Sequence, residues 1–154
     1  MKLRYCRAAS QLLDLVGVRF RALEPPARTI IGCAALLAYR FDLDLLTLCA
    51  RVPTGRTIEA LRRAQNLDLV VSESAPAQYR FRHDLTRTAI RRQLGLGLRR
   101  ELHAMIAGAL ETRPDASARA EQLAYHWTAA GHTERAAAYC ALAAQRARLL
   151  GLGG

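Results

Sequence analysis

The sequence contains four histidines that could take part in chemistry, and His83 lies between a predicted strand and a predicted helix. It follows the alternating run Tyr79–Arg82 and precedes Asp84, where a helix is predicted to begin. An imidazole at a helix N-terminus can donate to a phosphate, and the helix dipole also favours an anion there. Because side chains alternate along an extended segment, Tyr79, Phe81 and His83 are predicted to form an inward-facing row. The alternative is that His83 only caps or packs locally.

The remaining candidates for catalysis or metal binding do not form a recognised constellation. The sequence contains no GxxxxGK[ST] phosphate loop, no GxSxG and no HExxH, and residues 52–57 resemble the first of these without its Lys or its first Gly. His126 and His132 are separated by a predicted helix break, and His103 is predicted to lie within a helix, partly buried or on its flank. We therefore predict no catalytic residue, no metal site and no enzymatic activity for this chain.

Four cysteines are present, and none belongs to a CxxC pair or to a zinc-like spacing. Cys33 and Cys49 lie in apolar segments with a helical pattern, and they are predicted to be small, buried hydrophobic side chains in a reducing compartment. The four positions are Cys6, Cys33, Cys49 and Cys140.

The charge of the chain is strongly positive, with 23 Lys or Arg, 13 Asp or Glu and a net charge of +10. Lys2 is the only lysine, so arginine carries almost all of the positive charge. Such a balance suits nucleic acid, anionic lipid or an acidic protein surface, although a GC-rich coding sequence would produce the same bias. The candidate phosphate contacts are Arg56, Arg62 and Arg63 on a third helix, and Arg80 and Arg82 on a hairpin. The spread of arginines to the end of the chain argues against a dedicated nucleic-acid surface.

The elements that must position these residues are mostly helices. Of the 154 residues, 51% are hydrophobic but 6% are aromatic, so Ala and Leu supply most of the apolar mass and favour packed helices. Pro25-Pro26 ends the first predicted helix, Asp42 caps a short one, and Thr57 caps the next. The predicted helices cover 3–23, 26–39, 42–49, 57–66, a segment from Asp84 broken by Gly95 and Gly97, 98–110, 118–130 and 133–149. Two strands, Leu67–Val71 and Tyr79–Arg82, are predicted to form one hairpin, and three helices followed by a hairpin are typical of a winged helix.

The last two helices carry a spacing that is typical of a tetratricopeptide repeat. Small residues would let the two helices approach closely, and an aromatic side chain would fill the groove between them. The positions are Leu123, Trp127, Gly131, Ala136, Tyr139 and Ala143. A generic alanine-rich helical hairpin is the alternative. Because solenoids need about three repeats to bury their faces, further repeats are expected as partners.

Several segments occur in an order that resembles one family. They are Phe41–Leu46, Ala60–Ala64, Tyr79–Leu85, Arg99–His103 and Leu123–Trp127. Together they resemble bacterial signal-transducing NTPases of the STAND class, the large LuxR-type and adenylate-cyclase-associated transcriptional regulators, over residues 8 to 150. The resemblance implies an AAA-like ATPase, a winged helix and tetratricopeptide repeats in the full-length proteins. It also implies that a His after the wing, here His83, contacts the β-phosphate of bound ADP, although Arg82 stands where the related Met-His-Asp motif has Met.

The resemblance leads to a predicted domain organisation and function. Residues 1–24 are predicted to be an N-terminal helix that ends a missing ATPase or lid region, 25–112 a winged-helix-like domain, 113–150 a tetratricopeptide-like hairpin and 151–154 a frayed tail. The chain is predicted to be a non-catalytic regulatory and sensor fragment that senses a nucleotide state and binds protein. It would hold no cofactor itself, whereas the resembled full-length proteins use ATP or ADP. Its expected partners are the missing ATPase domain or further repeats, in cis or in trans.

Two other functions remain open at this point. One is direct DNA binding by the arginines of the third helix and wing. The other is a stand-alone helical module that binds a protein partner. A cytoplasmic location without membrane association is predicted for all three.

Overall fold

The computed structural model describes the backbone of residues 2–151 and the side chains of residues 7–151, so most of the predicted tail at 151–154 lies outside the described residues. The protein is mainly helical and contains a small three-stranded antiparallel sheet. This confirms the predicted class in its coarse form. The chain divides into two compact units, Met1–Gly95 and Leu96–Gly154.

The N-terminal unit is built around one helix that is buried on nearly all sides. Helix α2 is Pro25–Leu37, and every residue from Ile30 to Leu37 is buried. Helices α3, α4 and α5 all pack against it, and α1 packs against α5. An all-round apolar helix must take a central position because no face of it is stable in water. The bounds in this unit are α1 Lys2–Arg21, α3 Leu43–Ala50, α4 Thr54–Asn66 and α5 Asp84–Gln93.

The sheet of the N-terminal unit has one more strand than the sequence predicts. Strand β3, Gln78–Phe81, pairs with β2, Val70–Ser72, as the predicted hairpin requires. It also pairs on its other side with β1, Arg40–Asp42, so the strand order is β1-β3-β2. The prediction of two strands was therefore wrong, because β1 is too short to show an alternating pattern and is extended only through its pairing with β3.

Local signals set several helix ends, and two of the predicted ones were wrong. Asp42 caps α3 as predicted, since its Oδ1 accepts from the backbone N–H of Leu45 at 2.6 Å. Thr57 does not cap α4, which begins three residues earlier after Pro53. Thr57 is instead buried, and its hydroxyl accepts from the hydroxyl of Thr47 at 3.0 Å. Gly97 does not break a helix either, because it lies in the first turn of α6.

In residues 96–151, the C-terminal unit contains three α-helices and one turn of 3-10 helix. Its bounds are α6 Leu96–Glu111, the 3-10 helix Ala116–Arg119, α7 Ala120–Ala129 and α8 Thr133–Leu149. Helix α7 packs against both α6 and α8. The sequence predicts the bounds of α8 correctly, and it assigns α6 to the domain 25–112 whereas the structure groups α6 with the residues that follow it.

The turn between α7 and α8 depends on a glycine. Gly131 has φ of +84°, and its N–H donates to the carbonyl of Thr128 while that of His132 donates to the carbonyl of Trp127. A left-handed residue that closes the C-terminus of a helix in this way is most often glycine, which has no Cβ to clash. The predicted break at this residue is confirmed.

Candidate functional site

The segment around His83 is a firmly held turn between β3 and α5. The N–H of Phe81 donates to the carbonyl of Tyr39 at 3.1 Å, and the N–H of Arg82 donates to the carbonyl of Leu69 at 2.9 Å. The side chain of Phe81 is fully buried. His83 then adopts the extended N-cap conformation of α5, and its carbonyl accepts from the N–H of Thr86 at 3.0 Å. Backbone hydrogen bonds on both sides therefore fix the direction of the chain at this histidine.

The side chain of His83 is exposed, so the predicted inward-facing row was wrong at this residue. Phe81 does point inward and Tyr79 is half-buried, but the strand ends at Phe81 and the pleat does not continue. His83 makes no side-chain capping hydrogen bond to α5. An exposed imidazole at the start of a helix whose first turn also carries Asp84 is available to a group outside this unit.

The side chain of Arg80 stabilises the same turn through hydrogen bonds to its backbone. Its Nη1 donates to the carbonyls of Phe81 and Arg82, at 3.1 and 3.2 Å, and lies 3.4 Å from the hydroxyl of Tyr39. Its Nε is 3.3 Å from Glu73 Oε1. This predicted phosphate contact is therefore already engaged within the fold, and it acts on the geometry of the segment that presents His83.

The other predicted phosphate contacts fall into two groups. Arg63 is paired on both sides, with Glu59 at 3.1 Å and with Glu24 at 3.6 Å. Arg56, Arg62 and Arg82 are exposed, and none of them forms an ion pair within the part of the chain that the structure describes. Three of the five candidate arginines are thus open to an external anion.

The predicted packing residues of the last helical pair differ in their burial. Leu123, Trp127 and Ala136 are buried, Tyr139 and Ala143 are half-buried, and Gly131 is exposed in the turn. Sequence reasoning missed the residue that joins them, which is Glu111 at the end of α6. Glu111 Oε1 accepts from Trp127 Nε1 at 2.9 Å and from the hydroxyl of Tyr139 at 3.0 Å.

Electrostatics around Glu111 extend this cluster. The guanidinium of Arg135 lies 4.7 Å from the centre of the Trp127 ring and 4.0 Å from Glu111 Oε2. Burial raises the pKa of Tyr139, and its hydrogen bond to Glu111 raises it further, against a smaller lowering by Arg135. No local pattern could have marked Glu111, because its partners lie 16 and 28 residues away.

A shallow groove of about 420 Å³ runs along α7 and α8. Small and apolar side chains form most of its wall, with one carboxylate and one thiol. The lining residues are Glu121, Ala124, Tyr125, Thr128, Cys140 and Ala143.

The cysteines differ from one another in exposure, and so do the histidines. Cys33 and Cys49 are buried as predicted, and burial raises the pKa of the Cys33 thiol, with a smaller contribution from Cys49. Cys140 is exposed, because α8 has an open face. His103 and His126 are both buried and lie against each other, an arrangement that sequence reasoning did not find. Among the described residues, no three His, Cys, Asp or Glu side chains form a group that could hold a metal ion.

Comparison with known proteins adds no relative. No family model matches the chain, and no curated protein and no solved structure is significantly similar to it. Within the described residues, no helix is both long and apolar enough to cross a membrane.

Proposed function

We propose that this chain is a non-catalytic regulatory arm of the kind found in STAND-class regulators, and that it presents His83 to a nucleotide held by a separate ATPase domain. The observation that carries the proposal is the fixed turn that leaves His83 exposed at the start of α5. A phosphate contact between domains needs a donor that is both accessible and held in one direction. The side chain of His83 is accessible, and backbone hydrogen bonds fix the chain direction at this residue.

The architecture of each unit supports the finer parts of this proposal. The N-terminal unit has the order α2, β1, α3, α4, β2, β3 with sheet order β1-β3-β2, which is consistent with a winged helix. The C-terminal unit has a tight helical hairpin with Gly131 in its turn and buried Leu123, Trp127 and Ala136, which is consistent with one tetratricopeptide-like repeat. Its groove offers a surface for protein binding.

The test begins with the genetic neighbourhood of the chain. We expect a reading frame within about one kilobase, the size of a typical ATPase domain, that encodes a GxxxxGK[ST] loop between a strand and a helix. Co-expression of the two should yield a complex that retains ADP. His83→Ala should speed ADP release roughly tenfold or more, because one charge-assisted hydrogen bond is lost.

The matched control is His132→Ala, which removes an exposed histidine from the C-terminal unit. It should leave ADP release unchanged. Unrelated sequence on both sides of the frame, or equal ADP release from the His83 and His132 variants, would contradict the proposal.

Direct nucleic-acid binding is the second candidate, and the distribution of charge favours it. Residues 1–95 contain 16 Lys or Arg against 8 Asp or Glu, whereas residues 96–154 contain 7 against 5. The positive excess therefore belongs mainly to the N-terminal unit. Arginine itself still occurs along the whole chain.

A salt titration tests this second candidate. Binding to a duplex of about 20 base pairs is measured by fluorescence anisotropy between about 50 and 200 mM salt. Combined Arg56→Ala, Arg62→Ala and Arg82→Ala substitutions should reduce the log–log salt slope by about 2 to 3, since each phosphate contact contributes about 0.9. Arg146→Ala with Arg148→Ala, in the C-terminal unit, is the control. An unchanged slope in the triple variant would exclude this surface as the binding site.

A further inference from the structure

Two histidines in the core of the C-terminal unit share one hydrogen bond. His103 on α6 and His126 on α7 are separated by 2.9 Å between their Nδ1 atoms. Their exposed fractions are 4% and 1%. The ring of Tyr125 meets both of them edge-on, with centroid distances of 5.7 and 5.1 Å. The pair therefore lies at the contact between α6 and α7 and is shielded from water.

The chemistry of imidazole limits the charge that this arrangement can carry. A hydrogen bond between two Nδ1 atoms needs one N–H donor and one lone-pair acceptor. Two neutral rings satisfy this requirement, and so does one neutral ring facing one imidazolium. Two imidazolium rings do not, because both Nδ1 atoms would then carry protons. They would also bring two positive charges to within 2.9 Å in a buried site, where both Coulomb repulsion and desolvation are unfavourable.

The surrounding elements carry both signs of charge. The charged and titratable groups on them are Arg99, Arg100, Glu101 and Glu111 on α6, Arg119 in the 3-10 helix, Glu121 and Tyr125 on α7, and Glu134, Arg135, Tyr139, Cys140, Arg146 and Arg148 on α8. Glu111 is engaged by Trp127 and Tyr139. Arg99 and Arg100 lie one turn before His103 on the same helix, and their positive charge opposes a second proton on the pair.

We propose that the His103–His126 pair is a proton-sensitive latch, which holds α6 against α7 at neutral pH and releases them when both rings become protonated. The unfolded chain has no such restriction, so each histidine there binds its proton near the ordinary pKa of about 6.5. Below that pH the unfolded state binds more protons than the folded state, and the stability of the unit falls as the pH falls. This inference is independent of the function proposed for His83.

Thermal unfolding of the full chain at about pH 7.5 and about pH 5.5 tests the latch, since these values bracket the ordinary histidine pKa. Trp127, the only tryptophan, reports on the unit that contains the pair. The wild-type chain should lose roughly 5 °C more on acidification than the double variant His103→Leu with His126→Leu, which cannot be protonated there. The exposed-histidine control His132→Gln should lose as much as the wild type.

The outcome that overturns the proposal is an equal loss of unfolding temperature in the wild type and the double leucine variant. If the leucine variant does not fold, His103→Asn replaces it, because the Asn amide can occupy the Nδ1 position without taking a proton. It should also show the smaller loss. A wild-type measurement provides an independent check by ¹⁵N NMR of the imidazoles. If both rings become protonated while contacts between α6 and α7 persist, the latch does not exist.

Discussion

Helix α2 of the N-terminal unit and helix α8 of the C-terminal unit are buried to very different extents. In the N-terminal unit, α2 is enclosed by three other helices, and Ile30–Leu37 is continuously buried. In the C-terminal unit, α8 is the longest described helix and has one buried residue, Ala136. Apolar packing dominates around α2, although a hydrogen bond from Arg87 Nε to the carbonyl of Ala35 also joins α5 to it. Helix α8 buries little, and polar contacts hold it through the Glu111 cluster, which consists of Glu111, Trp127, Arg135 and Tyr139.

The surfaces of the two units also suit different kinds of partner. The N-terminal unit carries most of the positive charge and a histidine fixed on its surface, so it is suited to meeting an anion. The C-terminal unit is nearly balanced in charge and has an open helical face and a groove, so it is suited to a protein partner. Each prediction below tests whether core packing or polar contacts dominate in one unit.

The largest expected effect is in the core of the N-terminal unit. Ile31 is fully buried on α2, and Ile31→Ala should reduce the free energy of unfolding by about 4 kcal/mol through lost burial and a cavity. Leu142→Ala, at a half-buried position on α8, should cost about 1 kcal/mol. Urea unfolding followed by circular dichroism measures both. Equal losses of unfolding free energy at the two positions would contradict the difference in burial between α2 and α8.

Glu111→Ala should produce the next largest effect. It removes the acceptor for Trp127 and Tyr139 and should cost about 2 kcal/mol, because hydrogen bonds to a charged group are the stronger kind. Glu111→Gln retains a carbonyl acceptor and should lose less than half as much. Glu121→Ala is the matched control on an exposed carboxylate and should stay within about 0.5 kcal/mol of the wild type. Unfolding monitored by Trp127 fluorescence distinguishes these outcomes, and a neutral Glu111→Ala would show that α8 is held by packing after all.

Arg80→Ala should have a smaller effect, about 1 kcal/mol, because its guanidinium holds the backbone carbonyls of Phe81 and Arg82. Arg82→Ala removes an exposed side chain two residues away and should change stability by less than about 0.5 kcal/mol. In a phosphate-binding assay we expect the opposite order of effects. Arg82→Ala should weaken binding, whereas Arg80→Ala should leave it unchanged. Thermal unfolding supplies the first measurement, and a reversed order of stability would mean that the turn does not depend on Arg80.

The smallest expected effect is a pH dependence of the stability of the C-terminal unit. The pKa of Tyr139 is raised in the folded chain by burial and by Glu111, so the folded state holds this proton more tightly than the unfolded state does. Stability from this source is complete below the unfolded pKa of about 10 and is lost as the pH rises through the folded value. Tyr139→Phe should remove this component of the alkaline loss. Ultraviolet titration of the phenolate follows the group directly, and a titration of Tyr139 at the ordinary value would contradict the assignment.

The fold was predictable from sequence wherever a local signal dominates. The proline pair, the Asp42 cap and the Gly131 turn each act within one turn of the chain, and each one was predicted correctly, as were the bounds of α8. Strand β1 was not predictable, because Arg40–Asp42 is extended only through pairing with a strand almost forty residues later. Thr57 failed as a cap for a similar reason, since its hydroxyl bonds to Thr47 in the fold rather than to its own helix.

The candidate site was likewise predictable only in part, because several of its contacts join residues that are distant in sequence. Sequence order singled out His83 and the exposed arginines, but it could not tell that Arg63 and Arg80 are already engaged by Glu24, Glu59 and Glu73. The His103–His126 contact joins residues 23 positions apart with no intervening pattern. Such contacts depend on how α6 meets α7, which a period of apolar residues does not specify.

The contrast between the thiols of this chain makes the α7–α8 groove accessible to chemical footprinting. The Cys33 thiol is buried and has a raised pKa, so it reacts slowly with alkylating reagents, whereas Cys140 lines the groove and is exposed. In a Cys6→Ser background, the rate of alkylation at Cys140 therefore becomes a direct measure of whether the groove is occupied. A ligand or protein that covers this surface would reveal itself by protecting a single sulfur atom.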